Sequence, residues 1–96
     1  MTILYHVTTT AQALRIVVRG FKAESELRLP QGLYAGIRFA DRPPKPSEAN
    51  TGDTVLKVTF ECSIVRLAEF EFGNMHREWL IPAAFVNAHA VTQLPD

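Results

Sequence analysis

"ILYHVTTTAQALRIVVRGF" spans residues 3–21, and its reading sets the architecture of everything that follows. Its first five residues are β-branched, aromatic or apolar, which predicts a strand that stops where the threonine run begins. Thr8 or Thr9 then offers a hydroxyl to cap a helix. Within that helix Ala13, Leu14, Val17 and Val18 fall on one side, with Arg15 and Arg19 elsewhere, so the four apolar residues are expected to face the core. Gly20 suits the position just past the helix C-terminus, and Phe21 is placed to pack back on the unit.

After this helix the pattern turns to short strands. "KAESELRLPQG" (22–32) mixes charges with a proline and a glycine and reads as a surface loop. "LYAGIRFA" (33–40) reads as a strand in which Gly36 points to a bulge or to close approach by another group. "DRPPKPSEANTGD" (41–53) has no clear element and is of the kind that forms lids or binding loops. The best alternation in the chain, Val55, Lys57 and Thr59 against Leu56, Val58 and Phe60, predicts a central or near-central antiparallel strand. "IVRLAEFEF", "EWLIP" and "AHAVTQL" supply three more strands, separated by Gly73-Asn74 and by "PAAFVN", where Pro82 would start one helical turn. One helix, then short strands and no regular helix after residue 20, predicts a single α+β domain over residues 1–96 with a mostly antiparallel sheet.

Composition narrows the classes of function. Apolar residues make up 47% and charged residues 21%, which is enough apolar surface for a folded domain rather than a disordered tail. Ten Lys and Arg balance ten Asp and Glu, so no bulk positive charge argues for a nucleic-acid backbone or an anionic membrane. Cys62 is the lone cysteine, which excludes an intrachain disulfide and leaves too little sulfur for a structural zinc site. It reads as a buried thiol on a strand. "MTILYHVTTT" lacks a basic n-region and a long apolar run, so the expected location is the cytoplasm, or export as an effector without a classical signal peptide.

Three stations put a chemically capable side chain inside an apolar run: His6 in "LYHVTT", Tyr34 in "GLYAGIRFAD" and Glu78 in "REWLIP". Singly, each has an ordinary explanation. A histidine in a strand is most often a hydrogen-bonded structural residue, a tyrosine a core or edge aromatic, and a glutamate a solvated strand residue, with Trp79 packing on the opposite strand face.

Taken in order, "LYHVTTTAQALRIVVRGF", "GLYAGIRFAD" and "EWLIPAAFVN" resemble three blocks of the ADP-ribosyltransferase superfamily, in its diphtheria-toxin and poly(ADP-ribose)-polymerase branch with a His-Tyr-Glu signature. The resemblance covers most of the chain in order and is strong in those blocks alone. It implies short strands around an NAD cleft, NAD as co-substrate, no metal, and transfer of ADP-ribose to a protein or nucleic-acid acceptor or to water. It implies that His6 hydrogen-bonds a ribose hydroxyl and that the backbone of Val7 grips the nicotinamide carboxamide, with Thr8 and Ala35 beside them in the NAD site. Tyr34 would stack on the nicotinamide ring, and Glu78 would hold the ribose 2′-hydroxyl. Arg38 or Arg42, rather than Arg15 or Arg19, would meet the pyrophosphate, and Ser47 would stand in for the family's nicotinamide-binding serine.

The chemistry suits those residue types. Breaking the nicotinamide–ribose bond develops oxocarbenium character on the sugar, so a fixed carboxylate favours the transition state over the ground state. The leaving group is already cationic, so one carboxylate suffices without a separate acid, and an aromatic face favours the cationic ring over its neutral product.

The sequence also departs from the family pattern. Val7 stands where the polymerase branch commonly has glycine, and no second aromatic completes the nicotinamide clamp between Asp41 and Thr54. His76, two residues before Glu78, replaces the Glu or Gln of the arginine-modifying branch, which disfavours arginine as acceptor. Two further expectations follow from the superfamily: an NAD-dependent RNA 2′-phosphotransferase, which the neutral charge balance opposes, and a degenerate fold that binds without chemistry.

Overall fold

The computed structural model describes residues 1–22, 25–29, 32–43, 54–72 and 77–94. Strand β1 (Thr2–Thr8) leads through Thr9 into helix α1 (Thr10–Arg19), and β2 (Ser25–Leu29), β3 (Gly32–Ala40) and β4 (Thr54–Phe60) follow. A 3-10 turn (Ala68–Phe70), β5 (Glu71–Phe72), β6 (Glu78–Ile81), α2 (Ala83–His89) and β7 (Ala90–Gln93) complete the described chain. Six strands lie in the order β5-β6-β3-β1-β4-β7, and β2 adds to the first half of β3. Each of these pairings is antiparallel, which gives the α+β class with an antiparallel sheet.

The period-2 patterns of β1 and β4 explain the sheet. Thr2, Leu4, His6 and Thr8 stand opposite Phe60, Val58, Leu56 and Thr54 on one face. Ile37, Phe39, Trp79 and Ile81 continue that face across β3 and β6, and all four are buried. Ala13 of α1, Phe21, Leu67 and Val86 of α2 close over it to make the core. Among the described residues no helix is long and apolar enough to cross a membrane.

Helix α1 begins as expected, with the Thr9 hydroxyl accepting from the Gln12 N–H at 3.3 Å. It ends at Gly20, whose φ of 83° is the left-handed conformation that favours glycine and whose N–H donates to the Ile16 carbonyl. The buried side is narrower than the sequence predicts. Only Ala13 is fully buried, Ile16 is half-buried, and Leu14, Val17 and Val18 are exposed, Val18 by 80%. A small residue at the contact lets the helix axis come close to the sheet, and residues flanking so narrow a stripe are left outside.

Four other expectations are corrected. Residues 25–29 form β2 rather than loop: the charged Glu26 and Arg28 alternate with Ser25, Leu27 and Leu29, and β3 offers the edge with which this short strand pairs. Residues 64–70 form turns rather than a strand. There the N–H groups of Arg66, Leu67 and Ala68 each bond the carbonyl three residues back, which drops Leu67 into the core and leaves only Glu71–Phe72 extended. Cys62 is a half-buried thiol in the bend after β4, not on the strand. The turn expected at Pro82 grows into a second helix, α2, whose first N–H groups bond the Pro82 carbonyl.

That second helix clamps the exit of the first. The Asn87 side chain accepts from the Phe21 N–H and donates to the Phe21 carbonyl, both at 2.8 Å, so one amide supplies the pairing a neighbouring strand would have given. Gly36 meets the close approach expected of it, since a Cβ there would lie 2.9 Å from the backbone of Ile81. We predict that Gly36→Ala costs about 1 to 3 kcal/mol by overpacking against main chain that cannot yield. Urea unfolding checks this, and a variant as stable as wild type contradicts the contact.

Candidate functional site

The strand register decides which of the three stations meet. Tyr5 pairs with Ala40 and Ala40 with Glu78, so these three side chains lie in one row on one face of the sheet. Strand alternation adds Val7, Arg38, Leu80 and Phe72 to that face. His6 belongs to the other face, with Leu56 and Phe39. The structure therefore brings the Glu78 and Arg38 side chains together on one face and puts the His6 side chain on the other, rather than in one cleft with Tyr34 and Glu78.

His6 fills a gap in the sheet. Strand β1 pairs with β4 at seven positions but with β3 at Tyr5–Ala40 alone, and beside that position the His6 ring bonds to the β3 backbone. Its Nδ1–H donates to the Arg38 carbonyl at 2.8 Å. Because a carbonyl only accepts, the proton sits on Nδ1 and leaves Nε2 as the acceptor of the neutral ring. Phe21 packs against the ring edge-on at 5.3 Å and Phe39 lies 5.8 Å away. Burial in this aromatic setting pushes the His6 pKa below its ordinary value, partly offset by the bond to the Arg38 carbonyl.

Tyr34 and Ala35 line a cleft of about 350 Å³ with Glu69, Phe70, Glu71, Phe72, Leu80 and Pro82. It lies where β6 runs into Pro82, beside the first half of β3. Phe70 is braced from behind by Phe85 of α2, with ring centroids 5.2 Å apart. Arg77 fixes Glu71 through two hydrogen bonds of 2.7 and 3.1 Å, and these hold the Glu71 carboxyl below its ordinary value. Arg66 stands 3.7 Å from Glu69. Aromatic walls suit a flat, cationic group, while the two carboxylates among the lining residues are each paired with an arginine.

Glu78 is not among the residues that line this cleft but adjoins two that are. It is the cross-strand partner of Phe72 and two residues from Leu80 on the same face, so it neighbours two cleft walls. Its Oε1 is 3.3 Å from the Arg38 Nε, with side-chain exposures of 32% and 54%. The Arg38 guanidinium also lies over the Phe72 ring, 5.4 Å from its centroid.

The remaining expected site residues scatter. Val7 shares the Glu78 face but pairs with Val55 of β4, and Thr8 is buried opposite Thr54. Arg15 and Arg19 belong to α1, which covers the opposite face, and so do not reach a ligand beside Glu78. Ser47 and His76 lie outside the described residues. Among the described residues no three His, Cys, Asp or Glu side chains gather as a metal site.

Sequence reasoning missed Phe70 and Phe72. It sought a second aromatic before residue 54, whereas the structure brings two from "EFEF" (69–72) to Tyr34. The repeated acid–aromatic pair was the available signal.

The half-buried neutral His6 has a consequence for stability. The unfolded chain takes up a proton near pH 6.5 that the folded chain resists, so this contribution is complete above that pH and is lost as pH falls through it toward the lower folded value. We predict that His6→Gln reduces the loss of stability between pH 7 and pH 5, by at most about 1.4 kcal/mol per pH unit. Equal slopes for the two proteins in urea titrations contradict the assignment.

No family model, no curated protein and no solved structure matches this chain. The site rests on its own geometry.

Proposed function

We propose that the chain is an NAD-dependent ADP-ribosyltransferase that seats the nicotinamide end of NAD in the Tyr34 cleft. It cleaves the nicotinamide–ribose bond and passes ADP-ribose to a macromolecule or to water. One observation carries the reading: Glu78 neighbours Phe72 and Leu80, two walls of the aromatic cleft that Tyr34 also lines. A volume of about 350 Å³ is at the small end of ligand clefts and suits one end of a dinucleotide rather than the whole.

In this mechanism Tyr34, Phe70 and Phe72 offer π-faces to the pyridinium, a preference that weakens when the neutral ring leaves. Glu78 faces the adjoining ribose and stabilises the positive charge that develops there as the bond stretches. His6 takes no part in the chemistry. Its role is to set the spacing of β1 and β3 from the other side of the sheet, in place of the ribose contact the sequence suggested.

A second reading is favoured by that same placement of His6, together with the ion pair on Glu78: a domain that binds NAD without turning it over. Incubation with NAD and assay of free nicotinamide separates the two. Turnover should fall at least about 100-fold in Glu78→Gln, the loss expected when a preorganised charge is removed from a transition state. His6→Gln should keep turnover within a few fold. Turnover that survives Glu78→Gln overturns the mechanism, and NAD binding without nicotinamide release establishes the second reading.

A further inference from the structure

Arg38 is at present the cation of this site. Its guanidinium is flat and positively charged, lies over the Phe72 ring and pairs through Nε with Glu78. These are the contacts a pyridinium ring and its ribose would make with the same two residues. Arg38 and Glu78 are not among the residues that line the cleft, so it is a cationic ligand reaching from the cleft over Phe72 to Glu78 that must compete with Arg38 for that ring face and for the carboxylate. Half-exposed and anchored by one nitrogen at 3.3 Å, Arg38 is held loosely, in a pair of the kind worth ~1 kcal/mol or less. A phosphate group binds guanidinium more strongly than that, through two parallel charge-assisted hydrogen bonds.

We infer that Arg38 is a phosphate-operated latch: it covers Phe72 and Glu78 until a ligand's phosphate draws it aside, so the site favours phosphorylated nicotinamide nucleotides over phosphate-free nicotinamide cations. This rests on the nicotinamide reading of the cleft. The latch makes phosphate and ring binding mutually reinforcing, because whichever ligand lifts Arg38 spares the other that cost.

Calorimetry on the full chain tests it with two separate probes, 1-methylnicotinamide as the phosphate-free cation and inorganic pyrophosphate. Wild type should bind 1-methylnicotinamide about threefold or more tightly in the presence of pyrophosphate, the gain expected when a surface ion pair is removed beforehand. Arg38→Gln should bind 1-methylnicotinamide that tightly without pyrophosphate, bind pyrophosphate weakly, and show no coupling. Arg38→Lys, which keeps the charge but not the planar fork, should retain pyrophosphate binding and still gain for 1-methylnicotinamide. It supplies the same comparison if Arg38→Gln fails to fold. If 1-methylnicotinamide binds but neither pyrophosphate nor either substitution changes its affinity, the latch is overturned while the cleft reading stands. If neither 1-methylnicotinamide nor NAD binds to any of the proteins, the cleft reading itself is overturned and the latch with it.

Discussion

Among the described residues the ladders of the two halves of the sheet meet at one paired position, Tyr5 opposite Ala40, and beside it the His6 side chain bonds across to the β3 backbone. On one side of this seam β1, β4 and β7 form a continuous ladder, and on the other β3, β6 and β5 form a second. An antiparallel ladder that stops early leaves backbone carbonyls without partners, and each costs free energy if buried unpaired. The imidazole of His6 answers for one of them, the carbonyl of Arg38, and is wedged in place by Phe21 and Phe39. Residue 38 is thus held at its main chain by β1 on one side, while its side chain emerges on the other face beside Glu78.

Packing behind the seam is aromatic and contiguous. His6, Phe21, Phe39 and Phe60 form a chain of ring contacts between 5.3 and 5.9 Å, with Phe21 locked at its backbone by Asn87. Edge-to-face contacts of this kind fix orientation as well as burying surface. Helices on one side only leave the Glu78 face of the sheet open, and the cleft forms where that face meets β5, the 3-10 turn and the end of β6. The Phe70–Phe85 contact ties one of its walls to α2 on the core side.

Much of the fold was legible because local chemistry decided it. Thr9 and Gly20 bound α1 as capping rules require, the alternation of residues 55–60 gave β4 and its buried face, and Gly36 announced a close approach that Ile81 makes. Strand β2 was hard to read, since the alternation of Glu26 and Arg28 with Leu27 and Leu29 is only a few residues long and runs straight into Pro30 and Gly32. Nor was α2, a short segment whose helix is secured by tertiary contacts of Val86 and Asn87 rather than by propensity. Around the cleft, Tyr34 and Glu78 were singled out by their apolar settings, and the structure places Tyr34 on the cleft and Glu78 across from its wall Phe72, while Phe70 and Phe72 lay hidden in a stretch read as plain strand.

By itself the sequence determined the element types at both ends of α1, the antiparallel α+β class and the residue types at the three stations. Whether those stations share a cleft was decided only by the tertiary structure. Side chains alternate faces with a period of two along each strand, so a site spanning several strands depends on register, and a shift of one residue moves a side chain through the sheet. Register is fixed by which strands pair and where, here by Tyr5 against Ala40 and Ala40 against Glu78. Those long-range pairings put His6 behind the sheet as a wedge and leave Glu78 in front of it beside the aromatic cleft.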